Sequence, residues 1–545
     1  MRPVLHATYP SPYADDYRAA GHWLQQPLGV LFARVAQRYA DRIALIDAGR
    51  HLTFLELDRL SQRAALGFRS LGLGPGDVIA YQLPNWWEAV VVFLAATRIG
   101  ATINPLLPIF RESELRFTLG QSGARALVIP GVWRGCDHRQ LLAAIRAPLS
   151  ALQYVFVVRD EAGNGARGFA AFLDTPWERA LHTDALAPLP VDPDAVALLM
   201  YTSGTTADPK GVLHTHNTLA AEVMSLERVH QLTASDRTLM PSPLTHISGV
   251  IHGILTPALL GTSAILMERW EAERGLALIG SEQVTYMVGA PTFLQDLLAV
   301  PATEDFRSLR LFSCGGAGVA PALLLRARQR FSHCVAKRVY GSTEFPTLTT
   351  TDADDAGTHG IDTEGRPIWP AHIRIVDASV TAVPAGAEGE VQGRGPECFV
   401  GYLDATLNAD AFTADGWFRT GDLGVIDAAG YLRITGRLKD IVIRKGEKIS
   451  VKEIEDLIAA HPAVAEVAVI ALADPDSGER ACAVVRLRPS MRIDLAALTA
   501  FFESHGVAKQ KWPEQLEVIS DFPRTESGKI LRAQLRERLS AGGST

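Results

Sequence analysis

Cysteine is scarce in this chain. The five present (Cys136, Cys314, Cys334, Cys398 and Cys482) are scattered, with no CxxC or other metal-ligand spacing. An odd, sparse set argues against a disulfide framework and reads as reduced thiols in a cytosolic protein. Long apolar runs are missing too. The most apolar stretch, residues 89–96 within PNWWEAVVVFLAATRIGA, stops at Arg98. That is less than half of a span of about 20 residues, so it predicts a buried helix and no stable membrane insertion. Residues 1–16 carry Pro, Tyr and Asp where a secretion signal needs an apolar core. Positive charge is not in excess either: 53 Lys+Arg against 60 Asp+Glu leave a net charge of −7. Nucleic acid is therefore excluded as a general partner, and anionic substrates must be met by local positive charge. Repeats and low-complexity segments are absent, and nothing in the chain specifies an oligomeric state.

What is present is length and alternation. A chain of 545 residues is too long for one hydrophobic core and suits two to four domains. Up to about residue 360, short β-branched runs alternate with helical stretches. Strands are predicted over 77–83, 195–201, 287–289 and 309–314, with helices after the first and from about 215 to 231. Strand–loop–helix repetition implies layered, mostly parallel sheets covered by helices, with ligands at the carboxyl ends of strands. From Gly365 the texture changes to closely spaced turns (PAGAEGE, GRGPE, DAAGYLRITGR), which predicts a β-rich subdomain over about 365–436. After Gly436 it changes again. Ser450-Val-Lys-Glu453 has the capping-box pattern and opens a helix, EIEDLIAAH. Strands over 465–471 and 481–487 and a helix over 495–505 follow, a small α+β module of about a hundred residues. The fold class is thus α/β, with an N-terminal domain over 1–438 and a C-terminal domain over 439–545.

The strongest local signal is TSGTTADPKG, running from Thr202 through Ser203, Gly204, Thr205 and Thr206 to Lys210. Hydroxyls, a glycine and a lysine on a loop after a strand suit polyphosphate: backbone N–H groups and hydroxyls wrap the oxygens while lysine adds charge. The order G-x-x-x-x-G-K-[ST] is absent, so this is not a Walker A loop. By composition alone a solvated surface turn fits equally well. Further motifs settle the choice: Tyr340-Gly341-Ser342-Thr343-Glu344, Thr420-Gly-Asp-Leu-Gly424, Gly436-Arg-Leu-Lys-Asp440 and Pro523-Arg-Thr-Glu-Ser-Gly-Lys529. With these five in order, nearly the whole chain resembles the adenylate-forming (AMP-binding) superfamily of acyl-CoA synthetases, carrier-protein adenylation domains and luciferases. Ala207 departs from the usual glycine, a change that removes no donor.

The resemblance implies a set of roles, each with a physical reason. Tyr340 offers an aromatic face to adenine, and Gly316-Ala317-Gly318 leaves room for the purine against backbone. A dinucleotide-binding reading of 316–321 fails for want of a third glycine. Thr343 reaches phosphate and Glu344 reaches Mg²⁺, which favours carboxylate plus phosphate oxygens. Asp422 clamps the ribose diol. Arg437 adds a second ribose contact or, alternatively, a salt bridge that steadies the linker. Lys529 is the mobile cation that brings the acid's carboxylate and the α-phosphate together. Lys439 is the hinge that later swings it away, and Gly446 leaves room beside the pantetheine thiol.

His246, in Pro243-Leu-Thr-His-Ile-Ser-Gly249, lies where relatives place a residue flanking the substrate carboxylate. No Asp or Glu occurs between Pro241 and Gly253, so an α-amino acid is excluded: its ammonium would be buried unpaired. Residues 82–115 and 507–518 look most like medium-chain and alicyclic acyl-CoA ligases such as cyclohexanecarboxylate-CoA ligase. The implied activity is a cytoplasmic, ATP-, Mg²⁺- and coenzyme A-dependent acid–thiol ligase that forms acyl-AMP and then acyl-CoA. The alternatives are loading of a carrier-protein thiol, an aryl acid as substrate, or a catalytically silent nucleotide-binding protein. The last has no need of a mobile lysine.

Overall fold

In the computed structural model of the chain the apolar run becomes the helix Trp87–Arg98, and its residues 87–97 are all buried. A helix apolar on every side must be covered on every side. It ends on Arg98, which ion-pairs with Asp58 and lies over the Phe32 ring, so the charge that interrupts the run is neutralised at its edge. The structure describes residues 5–163, 165–180, 189–202, 209–301, 306–355, 357–438, 441–444, 447–474, 478–505, 507, 509–525 and 530–540. Among them no helix is long and apolar enough to cross a membrane.

Two large sheets sandwich this helix. One runs in the order Arg366–Pro367, Thr349–Thr350, Val335–Tyr340, Leu311–Gly315, Tyr286–Gly289, Arg237–Met240, Ser263–Leu266, Ile43–Asp47, Arg50–Thr53. Its six inner strands are parallel and its outer ones antiparallel. The other sheet runs Lys210–Thr215, Val196–Thr202, Thr102–Pro105, Val78–Tyr81, Ala126–Pro130, Tyr154–Val158, Arg167–Gly168. Only its first pair is antiparallel. A single core built from the inner faces of both sheets and the helices Trp87–Arg98, His216–His230 and Thr256–Leu260 fills the space between them. The doubly covered parallel sheets match the expected class.

Two details differ from expectation. The phosphate-type loop does not lead straight into a helix: Lys210–Thr215 is a strand that turns back antiparallel on Val196–Thr202, and only then does Thr215 cap the helix His216–His230. The strands on either side of the loop are therefore paired antiparallel. The turn-rich texture from Gly365 also begins inside the larger sheet, because Arg366–Pro367 pairs with Thr349–Thr350. The antiparallel four-stranded sheet starts later, with strands His372–Val376, Glu388–Arg394, Phe418–Ile426 and Leu432–Arg437.

The small C-terminal domain carries the strands Ile441–Arg444, Glu447–Ser450, Val464–Asp474, Gly478–Leu487 and Gln515–Val518, with helices Val451–Ala459 and Leu495–Ser504 packed on their own core. Ser450 caps the first helix as predicted, accepting from the Glu453 N–H at 3.3 Å. The Ser450 hydroxyl also donates to the Thr435 carbonyl at 2.7 Å, tying this domain to the strand Leu432–Arg437.

Candidate active site

Strand ends supply the site. Thr202 closes the strand Val196–Thr202 and pairs in register with Lys210 across the hairpin; Ser203, Gly204, Thr205 and Thr206 lie outside the described residues. The Lys210 ammonium sits 4.9 Å from the centroid of the Tyr402 ring. The Tyr402 hydroxyl donates to Glu344 Oε1 at 2.8 Å. A tyrosine 402 residues into the chain thus joins the loop lysine to the carboxylate of the Tyr340–Glu344 motif. Sequence reasoning did not single it out.

That motif leaves the strand Val335–Tyr340 at its carboxyl end. Ser342 N–H donates to the Phe345 carbonyl at 2.9 Å, and the Phe345 N–H returns a bond to Ser342 Oγ at 3.2 Å, closing a tight loop. A Cβ on Gly341 would stand 2.1 Å from the Pro346 carbonyl oxygen, so this glycine is required by the loop's own backbone. The Thr343 carbonyl accepts from His214 Nε2 at 2.8 Å. Burial lowers the His214 pKa to about 4, so the ring is neutral and the Nε2 proton is available for that bond. His214 was also missed, although its place two residues after Val212 on an inward-facing strand was the signal for it.

The Tyr340 hydroxyl donates to Asp422 Oδ2 at 2.7 Å. Burial, and then the Asp422 charge beside it, push the phenol's pKa well up, which keeps it a donor. Arg437 Nε meets Asp422 Oδ1 at 2.8 Å, across the register Asp422↔Arg437 of two antiparallel strands. Arg437 thus has a salt-bridge partner in Asp422. Asp422 is buried whereas the Arg437 side chain is 49% exposed, so the carboxylate is fixed and the guanidinium is its solvent-facing partner. Beside Tyr340, Gly316, Ala317 and Gly318 are exposed, and a Cβ on Gly316 or Gly318 would meet nothing within 4 Å. Gly316 has φ +79°, a left-handed turn that suits glycine. The strip 316–318 is open to solvent and follows the strand paired with that of Tyr340.

The acyl-side segment is held from the other sheet. Asn85 donates to the carbonyls of Ser242 at 2.9 Å and Met267 at 3.1 Å, and accepts from the Leu244 N–H at 2.7 Å. The Tyr81 hydroxyl donates to the Leu244 carbonyl at 2.8 Å. His246 follows as the N-cap of a short helical turn, its Nδ1 accepting from the Ser248 N–H at 3.3 Å. Gly249 is obligatory there, since a Cβ would lie 1.9 Å from the Pro243 carbonyl oxygen. The chain then enters a π-helix, Val250–Leu255, an element concentrated at functional sites. Leu244, Ile247, Val250 and Ile251 are all buried.

Among the described residues no three His, Cys, Asp or Glu side chains gather to hold a metal. Glu344, a half-buried carboxylate linked through Tyr402 to Lys210, fits Mg²⁺ that takes most of its ligands from phosphate and water. Lys439, Gly446 and Lys529 lie outside the described residues.

Comparison with known proteins agrees with this geometry. The family model for AMP-binding enzymes matches residues 32–403, and that for the AMP-binding enzyme C-terminal domain matches residues 453–529. The medium-chain fatty-acid–CoA ligase of Escherichia coli is 36% identical over 526 residues, covering 96% of this chain and 92% of that protein. A Streptomyces salicylyl-CoA synthase/salicylate adenylyltransferase is 34% identical, covering 97% of this chain and 96% of its own. The crystal structure of ATP-bound MatB from Rhodopseudomonas palustris superimposes with a TM-score of 0.84 at 28% identity, over 94% of this chain and 99% of that one. With these motifs at these strand ends, and a match that spans both domains, the chain belongs to the AMP-binding enzymes and is an acid–thiol ligase of the AMP-forming kind.

Proposed function

We propose that the protein couples a medium-chain or alicyclic carboxylic acid to coenzyme A at the expense of ATP, by way of an acyl-adenylate. The observation that carries this reading is the pair of side-chain chains at neighbouring strand ends: Lys210–Tyr402–Glu344 and Tyr340–Asp422–Arg437. They offer a cation for phosphate, a carboxylate for a metal, an aromatic face and a diol acceptor. In the first half-reaction a carboxylate oxygen of the acid attacks the α-phosphorus, and the bond to pyrophosphate breaks with its electron pair leaving on pyrophosphate. In the second, the thiol sulfur attacks the carbonyl carbon of the mixed anhydride and AMP departs, a good leaving group that makes thioester formation easy.

On this reading Tyr340 and the Gly316–Ala317–Gly318 strip take adenine, Asp422 takes the ribose, and Thr202, Lys210 and the loop residues 203–206 take the phosphates. Mg²⁺, held by Glu344 beside Thr343, supplies neutralisation of phosphate charge when bound with the nucleotide. His246 flanks the acid's carboxylate. Lys529 brings the two anions together, Lys439 is the pivot on which the domain 439–545 turns, and Gly446 makes room for the pantetheine. These three roles rest on their motifs.

For the acid, two features support an apolar substrate: the buried Leu244, Ile247, Val250 and Ile251 around His246, and the lack of any carboxylate over 241–253. An aryl acid is the second reading, favoured by the 34% identity to the Streptomyces salicylate enzyme. Pyrophosphate release measured with straight-chain, alicyclic and aryl acids, with and without coenzyme A and with a phosphopantetheinylated carrier protein, tests the proposal. Fastest turnover of an aryl acid, or a carrier requirement, would replace it.

A further inference from the structure

We propose that Tyr402 is a positioning residue, which keeps the metal-binding carboxylate and the phosphate-binding lysine apart and aimed at their ligands; this rests on the ligase reading above. Its ring and its hydroxyl have different tasks. The ring lies 4.9 Å from the Lys210 ammonium, and the hydroxyl donates to Glu344 Oε1 at 2.8 Å. Among the described residues no ion pair joins Lys210 to Glu344 directly. A lysine and a glutamate left to meet at about 4 Å near a protein surface attract strongly. Such a pair would cancel both the charge offered to phosphate and the carboxylate offered to a metal. A phenol placed between them avoids this: the ring holds a cation without neutralising it. The hydroxyl fills one lone pair of the carboxylate and leaves the others directed outward.

The tyrosine is built to stay put. It is 4% exposed. Its N–H donates to Asn408 Oδ1 at 2.9 Å, its carbonyl accepts from Thr8 Oγ1 at 2.6 Å, and the next N–H, that of Leu403, reaches the Gly211 carbonyl at 2.7 Å beside Lys210. Gly401 before it has φ +100°, and a Cβ there would stand 2.3 Å from Thr8 Oγ1, so no other residue fits. The far side is tied as well, since the Phe399 N–H donates to the Glu344 carbonyl at 2.8 Å. One short segment thus sets the spacing of both functional groups. Burial, and then the Glu344 charge, raise the phenol's pKa, so the hydroxyl remains a donor.

Tyr402→Phe separates the two tasks, because it keeps the ring and removes the hydroxyl. Mn²⁺ binding to the enzyme with a non-hydrolysable ATP analogue, followed by electron paramagnetic resonance, should weaken about 10-fold, the loss expected for one hydrogen bond to a charged group. The half-saturating Mg²⁺ for acyl-adenylate formation should rise in parallel, with kcat at saturating Mg²⁺ and the KM for the acid little changed. Tyr402→Leu should in addition weaken binding of metal-free ATP several-fold. Because Tyr402 acts through Glu344, adding Tyr402→Phe to Glu344→Gln should cost no further Mn²⁺ affinity. Wild-type Mn²⁺ affinity in Tyr402→Phe, or losses that add in the double variant, would overturn the proposal. A wild-type protein that binds no metal–nucleotide would overturn it together with the ligase reading, a failure visible before any variant is made.

Discussion

Asp422→Asn gives the sharpest test of the nucleotide site. An ionised carboxylate has about four acceptor positions. Two are occupied, by the Tyr340 hydroxyl at 2.7 Å on Oδ2 and by Arg437 Nε at 2.8 Å on Oδ1. One position is left on each oxygen, the number needed to accept from both hydroxyls of a ribose. Asparagine has one oxygen, and its NH₂ cannot face a guanidinium, so the amide must turn its nitrogen toward Tyr340, whose hydroxyl is able to accept. One ribose hydroxyl then loses its acceptor and the other meets a neutral oxygen. Hydrogen bonds to charged groups contribute about 1.5–3 kcal/mol against about 0.5–1.5 kcal/mol for neutral ones, so the ribose should lose about 2–3 kcal/mol, or ~30–150-fold in affinity. The variant should fold, because an ion pair with a half-exposed arginine contributes only about 0–1 kcal/mol.

The assay is the dissociation constant, by calorimetry, for ATP and for 2′,3′-dideoxy-ATP. Wild-type protein should discriminate the two by about the factor that Asp422→Asn loses with ATP, and the variant should scarcely discriminate them, with the KM for the acid unchanged. If Asp422→Asn still prefers ATP by the wild-type factor, the ribose assignment is wrong. An equal loss for both nucleotides would mean that the Tyr340–Asp422–Arg437 chain is structural only.

Lys529→Ala should lower acyl-adenylate formation ~10²–10³-fold, by analogy with loss of an oxyanion donor, while conversion of supplied acyl-AMP to acyl-CoA is largely spared; hydroxamate trapping and thioester formation measure the two steps. Lys439→Pro fixes φ and removes an N–H, so it should still make acyl-AMP but scarcely acyl-CoA, whereas Lys439→Ala should do both. Asn85→Ala strands the Leu244 N–H and the Ser242 and Met267 carbonyls in the core, at about 1–3 kcal/mol for a buried group left unsatisfied. Its urea midpoint should fall and the KM for the acid should rise without a change in that for ATP. Glu397 is fully buried, burial pushes its carboxyl up to about 7, and its Oε2 has no partner among the described residues. The unfolded carboxyl ionises near 4.5 but the folded one only near 7, so wild-type stability falls as pH rises through that window, by on the order of 3 kcal/mol. Glu397→Gln removes the titrating group, so its urea midpoint should gain on wild type between pH 5 and pH 8, and parallel midpoints would refute the assignment.

Local patterns carried the architecture because their causes are local. The run over 89–96 had to be buried whatever surrounded it, and Ser450 with Glu453 three residues on caps a helix from its own atoms. The pairing of Asp422 with Arg437 was not legible, because it depends on the register of two antiparallel strands. The strand Lys210–Thr215 escaped notice because Gly211, His214 and Thr215 dilute its alternation, and Thr215 also caps the next helix. Tyr402 escaped for another reason: its partners lie 58 residues away at Glu344 and in a separate hairpin at Lys210, a closure that no window of sequence displays. Asn85 likewise acts on backbone some 160 residues further on, beyond any pattern around PNWW.

This division explains why the nucleotide is easier to read than the acid. On the proposed reading nucleotide recognition uses charges, an aromatic ring and glycines whose places are dictated by backbone, as the Cβ position at Gly341 and the positive φ of Gly316 make plain. Few residue types satisfy such demands, so they recur as motifs. On the same reading acid recognition around His246 would draw on Leu244, Ile247, Val250 and Ile251, which are buried and whose requirement is only to be apolar and to fill space. One methylene in such a pocket is worth about 1–3 kcal/mol of discrimination, and any of several side chains can add or remove it. Relatives equally distant in sequence, at 36% and 34% identity, are accordingly named for a medium-chain fatty acid and for salicylate. On the proposed reading, the room beside the π-helix Val250–Leu255 is thus the quantity that selects the acid. Enlarging it by Ile251→Ala, which leaves every polar contact described here in place, should shift preference toward longer or bulkier acids without altering the KM for ATP. A preference unmoved by that change would locate the selecting wall elsewhere.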